Sequence, residues 1–265
     1  MELVGYIMAL VIGLCLGLIG GGGSILAVPV FAYLFMLDEK VATAYSLFVV
    51  GAAALVGGLR QNINNNVDWK TAFVFGVPAI IGVSLVRYFI IPVLPDVLFN
   101  IGNFEFTRRM GMFGVFAILM FFAAFSMLRN KERATGSGMV SYNYPLIIIE
   151  GLLVGGITGF VGAGGGFLII PALVILANLE IKIAIGTSLI IIAIKSLIGF
   201  FVGDAQTLAI DWSFLSSFTA LTLVGIFMGV YLCNFVDSNK LKKGFGYFIL
   251  GMAVFIFIME FIIKQ

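Results

Sequence analysis

Long apolar runs follow one another from end to end of this 265-residue chain, and few folds can absorb them. They cover approximately residues 3–19, 24–37, 41–59, 70–91 and 109–128, and then 145–161, 167–179, 183–203, 212–235 and 244–263. Many come near the roughly 20 residues that a helix needs to cross a hydrocarbon layer. Only 11% of the residues are charged, against about a quarter in soluble domains. The bilayer therefore takes the place of water as solvent, and no stretch is left over for a soluble domain. The reading is an all-α, multi-pass integral membrane protein. Its formal charge of +2 is small and its basic residues are scattered through short connections, which excludes a nucleic-acid binder. Cys15 and Cys233 lie inside apolar runs, where they read as small packing residues. The amino terminus enters apolar sequence without a basic leader region or a cleavage site, so the first helix is expected to stay in the mature protein.

Sliding the chain against itself by 142 positions exposes a duplication. Gly13, Gly17, Gly20, Gly22, Gly23 and Pro29 fall on Gly155, Gly159, Gly162, Gly164, Gly165 and Pro171. Without a gap, Lys40, Ala42, Ser46 and Leu47 then fall on Lys182, Ala184, Ser188 and Leu189. After one inserted residue, Asp68, Trp69 and Gly82 fall on Asp211, Trp212 and Gly225. The polar stretch 129–142 reads as a linker between an N-terminal transmembrane repeat, 1–128, and a C-terminal one, 143–265. Each repeat holds about five helical elements, the first broken at a glycine-rich motif.

Basic residues decide whether the chain doubles back at those motifs. Doubling back puts nine of the counted Lys and Arg residues on one side and four on the other, whereas passing straight through gives six against seven. The positive-inside rule favours doubling back. An odd number of elements per repeat then inserts the second repeat upside down relative to the first, with both termini outward.

The glycine clusters are the sharpest local features: Gly20, Gly21, Gly22 and Gly23 with Ser24, and Gly162, Gly164, Gly165 and Gly166 with Ala163. Consecutive glycines break a helix. Irregular backbone at membrane depth is tolerated only when buried in protein or lining a watery cavity, and paired interruptions in the two halves of a transporter point to its substrate site. A helix restarting at Ser24 or Phe167 would direct unsatisfied N–H groups and a partial positive charge toward the break, a place for an anion. The other use of such glycines is close helix packing, which is how Gly13-xxx-Gly17 and Gly155-xxx-Gly159 read. No Gly-Lys-Ser/Thr follows either cluster, which argues against a nucleotide loop.

Ser46 and Ser188 are matched hydroxyls, with Thr43 and Thr187 nearby, and they either donate to an oxyanion or bond back to the preceding turn. Lys195 lies midway along its apolar run, where an ionised side chain costs at least ~2.5 kcal/mol. Its matched position is Ala53, so it would bind an anion from one half only; the alternative is an internal pair with Asp204 or Glu150. Arg87, near the end of its run, reads as snorkelling. Glu150, matched by Met8, is a weaker candidate for proton exchange. Asp68-Trp69 and Asp211-Trp212 read as helix-opening acids with interfacial anchors.

The pattern Gly-xxx-Gly-xx-Gly-x-Gly-Gly-xxxxx-Pro, present at Gly13 to Pro29 and again at Gly155 to Pro171 and followed each time by Ala-xxx-Ser-Leu, resembles the TauE/SafE family of sulfite and organosulfur anion exporters. The resemblance covers nearly the whole chain. It implies transport of a small sulfur-containing anion across the bacterial cytoplasmic membrane without ATP, and it assigns the glycine clusters, Ser46 and Ser188 to the substrate pathway. Lys195 comes from the charge argument alone. The expected function is that of a secondary transporter working by alternating access at a midplane site between the two breaks; a passive anion channel is the nearer alternative. An intramembrane enzyme or redox subunit fits poorly, since the chain has no histidine and no clustered carboxylates or cysteine pair for a metal, so neither cofactor nor metal is expected. The apolar outer surface would allow a homodimer.

Overall fold

The computed structural model describes residues 2–101, 104–129, 144–175, 179–233, 235 and 238–263. In the first half, α1 (Glu2–Ile19) is followed by α2 (Gly23–Pro29), which runs on through a π-helical turn, Val30–Leu34. Next come α3 (Glu39–Ile63) and α4 (Trp69–Leu85) with its own π turn, Val86–Ile90. A hairpin, β1 (Val97–Ile101) with β2 (Phe104–Thr107), leads to α5 (Arg108–Arg129). The second half holds α6 (Tyr144–Val161), α7 (Gly166–Ile175) and α8 (Ile181–Gly199), the last extended by a π turn, Phe200–Asp204, and the single turn α9 (Ala205–Thr207). It ends with α10 (Trp212–Cys233), then α11 (Ser238–Ile258) and the π turn Met259–Ile263. Of the expected linker, Arg129 closes α5 and the remaining positions lie outside the described residues.

Five helical spans among the described residues are long and apolar enough to cross a membrane: Glu39–Ile63, Trp69–Ile90, Arg108–Phe125, Ile181–Thr207 and Trp212–Cys233. The paired Asp-Trp dipeptides start two helices as read. Asp68 accepts from the amides of Lys70 and Thr71, and Asp211 from that of Phe214, so each carboxylate sits at the positive end of its helix. Trp69 and Trp212 stand 44% and 51% exposed beside them. The hairpin is an element that the sequence reading did not contain. It lies between two apolar runs, and its short alternation is anchored by Phe99 stacked on Phe106, with ring centroids 4.6 Å apart.

The chain does double back at the first glycine cluster. Gly23 lies against Ile12 and Leu16 of α1, and farther along Phe35 packs its ring over Gly5, so α2 retraces α1 in the opposite direction. At 1.5 Å per residue, Gly23–Leu34 cannot reach across a bilayer; it is a re-entrant arm.

Matched glycines make matched helix crossings, and each crossing joins one half to the other. Gly13 and Gly17 press α1 onto the backbone of α10 at Thr222 and Ile226. The matched Gly155 and Gly159 press α6 onto α4 at Ala79 and Val83, the positions that match Thr222 and Ile226. Gly225 meets Leu10, and Gly82 meets Leu152, again a matched pair. The two sequence repeats therefore interlock rather than lie side by side. Between them run α3 and α8, whose register sets Gly51 against Leu197 and Gly58 against Ile190, an antiparallel pair. These crossings need glycine because backbone meets backbone, as small residues allow between membrane helices.

Gly155→Leu should therefore wedge α6 off α4 and cost more than the ~1–3 kcal/mol of ordinary overpacking. Gly251→Leu is the control, because nothing lies within 4 Å of a side chain added there. In a thermal unfolding assay in detergent, Gly155→Leu is expected to melt several degrees below the control; equal melting would contradict the crossing.

Candidate functional site

The two breaks are brought together at the centre of the molecule. Gly20 and Gly162 both take φ of +73°, and Gly164 and Gly165 take +63° and +73°, conformations that side chains disfavour. A Cβ on Gly21 would lie 2.6 Å from Gly166 Cα, so the first break touches the start of α7 backbone to backbone. All residues of both clusters, Gly20 to Ser24 and Gly162 to Gly166, are buried. The amides read from sequence as unsatisfied are partly engaged in this conformation. Ser24 and Ile25 N–H donate to Gly21 and Gly22 carbonyls across 3.3 Å, and Leu168 and Ile169 N–H donate to Gly165 O at 3.0 and 3.1 Å. Ser24 Oγ donates to Gly21 O at 2.6 Å. The breaks are thus close together and shut.

Lys195 reaches this place from α8. Its side chain is 0% exposed, and Nζ donates to Thr158 Oγ1 at 2.6 Å. Thr158 in turn donates to Gly155 O at 3.2 Å and lies against Gly165, so Nζ is tied to the second glycine cluster by one hydroxyl. The antiparallel register of α3 and α8 sets Ala53 level with Lys195, at the crossing point of the two repeats. The internal pair with Asp204 or Glu150 is not formed. Among the described residues no carboxylate comes within ion-pair distance of Nζ.

Arg87 corrects the sequence reading most sharply. It does not snorkel: it is fully buried and turned inward. The π turn Val86–Ile90 carries it, and Gly203 on the facing π turn lets the two segments approach until a Cβ there would lie 2.7 Å from Arg87 Cβ. Its Nη1 donates to both oxygens of Asp204, at 3.0 and 2.9 Å, and to Thr43 Oγ1 at 3.3 Å; its Nε donates to Gly159 O at 2.6 Å. A cavity of about 190 Å³ adjoins this pair, lined by Lys40, Arg87, Ile91, Pro92, Asp204, Thr207 and Leu208.

The hydroxyls divide. Ser188 bonds back to Ile185 O at 2.8 Å, and Thr187 accepts from Asp68 N at 2.9 Å, which pins the start of α4 to α8. Ser46 Oγ, and Ser196 Oγ one residue beyond Lys195, are buried without a partner. The sequence reading missed Thr158, Asp204 as the partner of Arg87, and Ser196. The one signal available was that Arg87 and Asp204 each lie within four residues of the end of an apolar run, where charge is easily taken for interfacial.

The pattern of the family described as Sulfite exporter TauE/SafE matches residues 6–256. A "Probable membrane transporter protein" of Xylella fastidiosa (strain 9a5c) is 28% identical over 253 residues, covering 92% of this chain and 90% of that protein. "Probable membrane transporter protein YdhB" of Bacillus subtilis (strain 168) is 25% identical over 236 residues, 88% of this chain and 90% of its own. "Probable membrane transporter protein MJ0441" of Methanocaldococcus jannaschii reaches 37% identity over 117 residues, 42% of this chain and 43% of its own. No solved structure matches the chain.

The Arg87–Asp204 pair should behave as a buried unit. Arg87→Leu and Asp204→Leu alone are each expected to lose about 3–5 kcal/mol, because each strands a charge, while the double variant recovers much of that loss. A double-mutant cycle on unfolding in detergent checks it, and simple additivity would contradict the pairing.

Proposed function

The chain belongs to the sulfite exporter TauE/SafE family and is a multi-pass cell-membrane transporter, and from that premise we propose that it exports a small oxyanion, sulfite or an organosulfonate, by alternating access. The observation that carries the proposal is Lys195: a fully buried lysine whose Nζ donates to a neutral hydroxyl, at the level where both helix breaks meet. A cation held in a low-dielectric interior is costly without a counter-charge, and a bound anion supplies one. When the breaks part, Gly20 to Gly23 with Ser24, and Gly162 with Gly164 to Gly166, present amides and a hydroxyl toward the same space, with Ser46, Thr187 and Ser188 on the flanking helices. Apart from Thr187, which the amide of Asp68 holds at the start of α4, these groups replace the water that the anion sheds.

The movement is a rocking of two inverted repeats. Support for the inversion comes from the antiparallel packing of α3 on α8, which carry matched positions, and from the matched glycine crossings on either side. The backbone contact of Gly21 on Gly166 suits a carrier in a closed state better than a continuously open pore. Membership of a transporter family and the transporter names of the relatives favour this over an intramembrane enzyme.

Flux of sulfite or methanesulfonate into proteoliposomes tests the reading. Saturable uptake by the native protein is expected, with Lys195→Ala at least tenfold slower while remaining folded. Absence of flux for every small oxyanion would overturn the function, and native flux in Lys195→Ala would remove the lysine from it.

A further inference from the structure

Resting on the anion-transport reading above, we infer that the cavity beneath Lys40 is an entry site for a small oxyanion, present at one membrane face only, in which the incoming anion competes with Asp204 for the Arg87 guanidinium. The first ground is the geometry of the pair. Both Asp204 oxygens are bonded to Nη1 alone, leaving Nη2 buried and without a partner. A guanidinium is best satisfied by an acceptor that takes two of its nitrogens side by side, and the present carboxylate does not. Nη2 lies instead against Gly162, so an oxyanion with two or three equivalent oxygens engages Nη1 and Nη2 together once it displaces Asp204 and the guanidinium turns from the break toward the cavity. The second ground is charge. The cavity of about 190 Å³ is lined by Lys40 and Arg87 against the single acid Asp204, with Thr207 as a neutral lining hydroxyl, so it carries an excess of positive charge. Its size admits a small oxyanion with part of its hydration and excludes a nucleotide.

The third ground is sidedness. Arg87 matches Val230 in the other repeat, and Asp204 matches Asn62 or Gln61 according to where the inserted residue falls, all of them uncharged; Asn62 is occupied in accepting from Trp69 Nε1 at 2.9 Å. Of the cavity's charged residues, only Lys40 has a charged counterpart, Lys182. Because α3 and α8 run antiparallel, matched positions lie at opposite ends of the bundle, so the Arg–Asp device exists at one end. It also lies on the way to the centre. Arg87 holds Gly159 O and Thr43, and Thr43 packs against Gly162, the first residue of the break to which Lys195 is tied through Thr158. An anion arriving at Arg87 releases Asp204, and with it the tie between the π turns of α4 and α8.

The test is sulfite binding to purified protein in oxyanion-free buffer, by calorimetry and thermal shift, with sidedness read in oriented proteoliposomes. Asp204→Asn removes the competitor and is expected to bind sulfite at least fivefold more tightly than the native protein. Lys40→Gln, at a partly exposed position, is expected to bind at least fivefold more weakly. Should Asp204→Asn fail to fold, Lys40→Gln and Thr207→Val decide the matter alone. In vesicles, Lys40→Gln should raise the half-saturating sulfite concentration only from the face that bears Lys40, and Lys182→Gln should leave that face unchanged. Native-like binding in folded Asp204→Asn and Lys40→Gln, or an equal effect from both faces, overturns the entry site even if flux is intact. If native flux is missing, the transport reading fails by itself, and the binding measurements still judge the cavity.

Discussion

Backbone that leaves a helix inside hydrocarbon must find its partners within the protein, and this molecule places two such stretches against each other. The contact of Gly21 with Gly166 is possible because both residues lack side chains, and it buries the break between α1 and α2 together with the break between α6 and α7. The same device recurs where α1 lies on α10 and α6 on α4, at Gly13, Gly17, Gly155 and Gly159. The duplication in sequence thus becomes an interlocked pair of repeats in which neither half has its own closed core.

Within that scaffold the polar groups are few and their places are unequal. Arg87, Asp204 and Lys195 are all buried, and all three lack a charged counterpart in the matched positions of the opposite repeat, which hold Val230, Asn62 or Gln61, and Ala53. A duplicated scaffold whose buried charges sit at unmatched positions has a built-in polarity.

Much of this was legible in the sequence because the bilayer leaves so little freedom. Apolar run lengths located the helices, the glycine register located the breaks, and Asp68 and Asp211 marked helix starts that their capping bonds now account for. The hairpin at 97–107 was missed because it belongs to neither run. Arg87 was misread because distance to the end of an apolar run says nothing of which way a π turn faces. Thr158 escaped notice because a threonine in a membrane helix is ordinarily satisfied by its own preceding turn; only the fold shows Lys195 arriving opposite it. Side-chain pairing across helices depends on rotation about the helix axis, which hydropathy does not report.

The proposed transport depends on an anion meeting Lys195 where the two breaks converge. An experimental structure of the protein with selenite, whose selenium scatters strongly, tests this most directly. An anion is expected within hydrogen-bond distance of Lys195 Nζ, beside Thr158 and between the separated glycine turns. Selenite bound elsewhere only, with Lys195 still held by Thr158 and Gly21 still packed on Gly166, would contradict it.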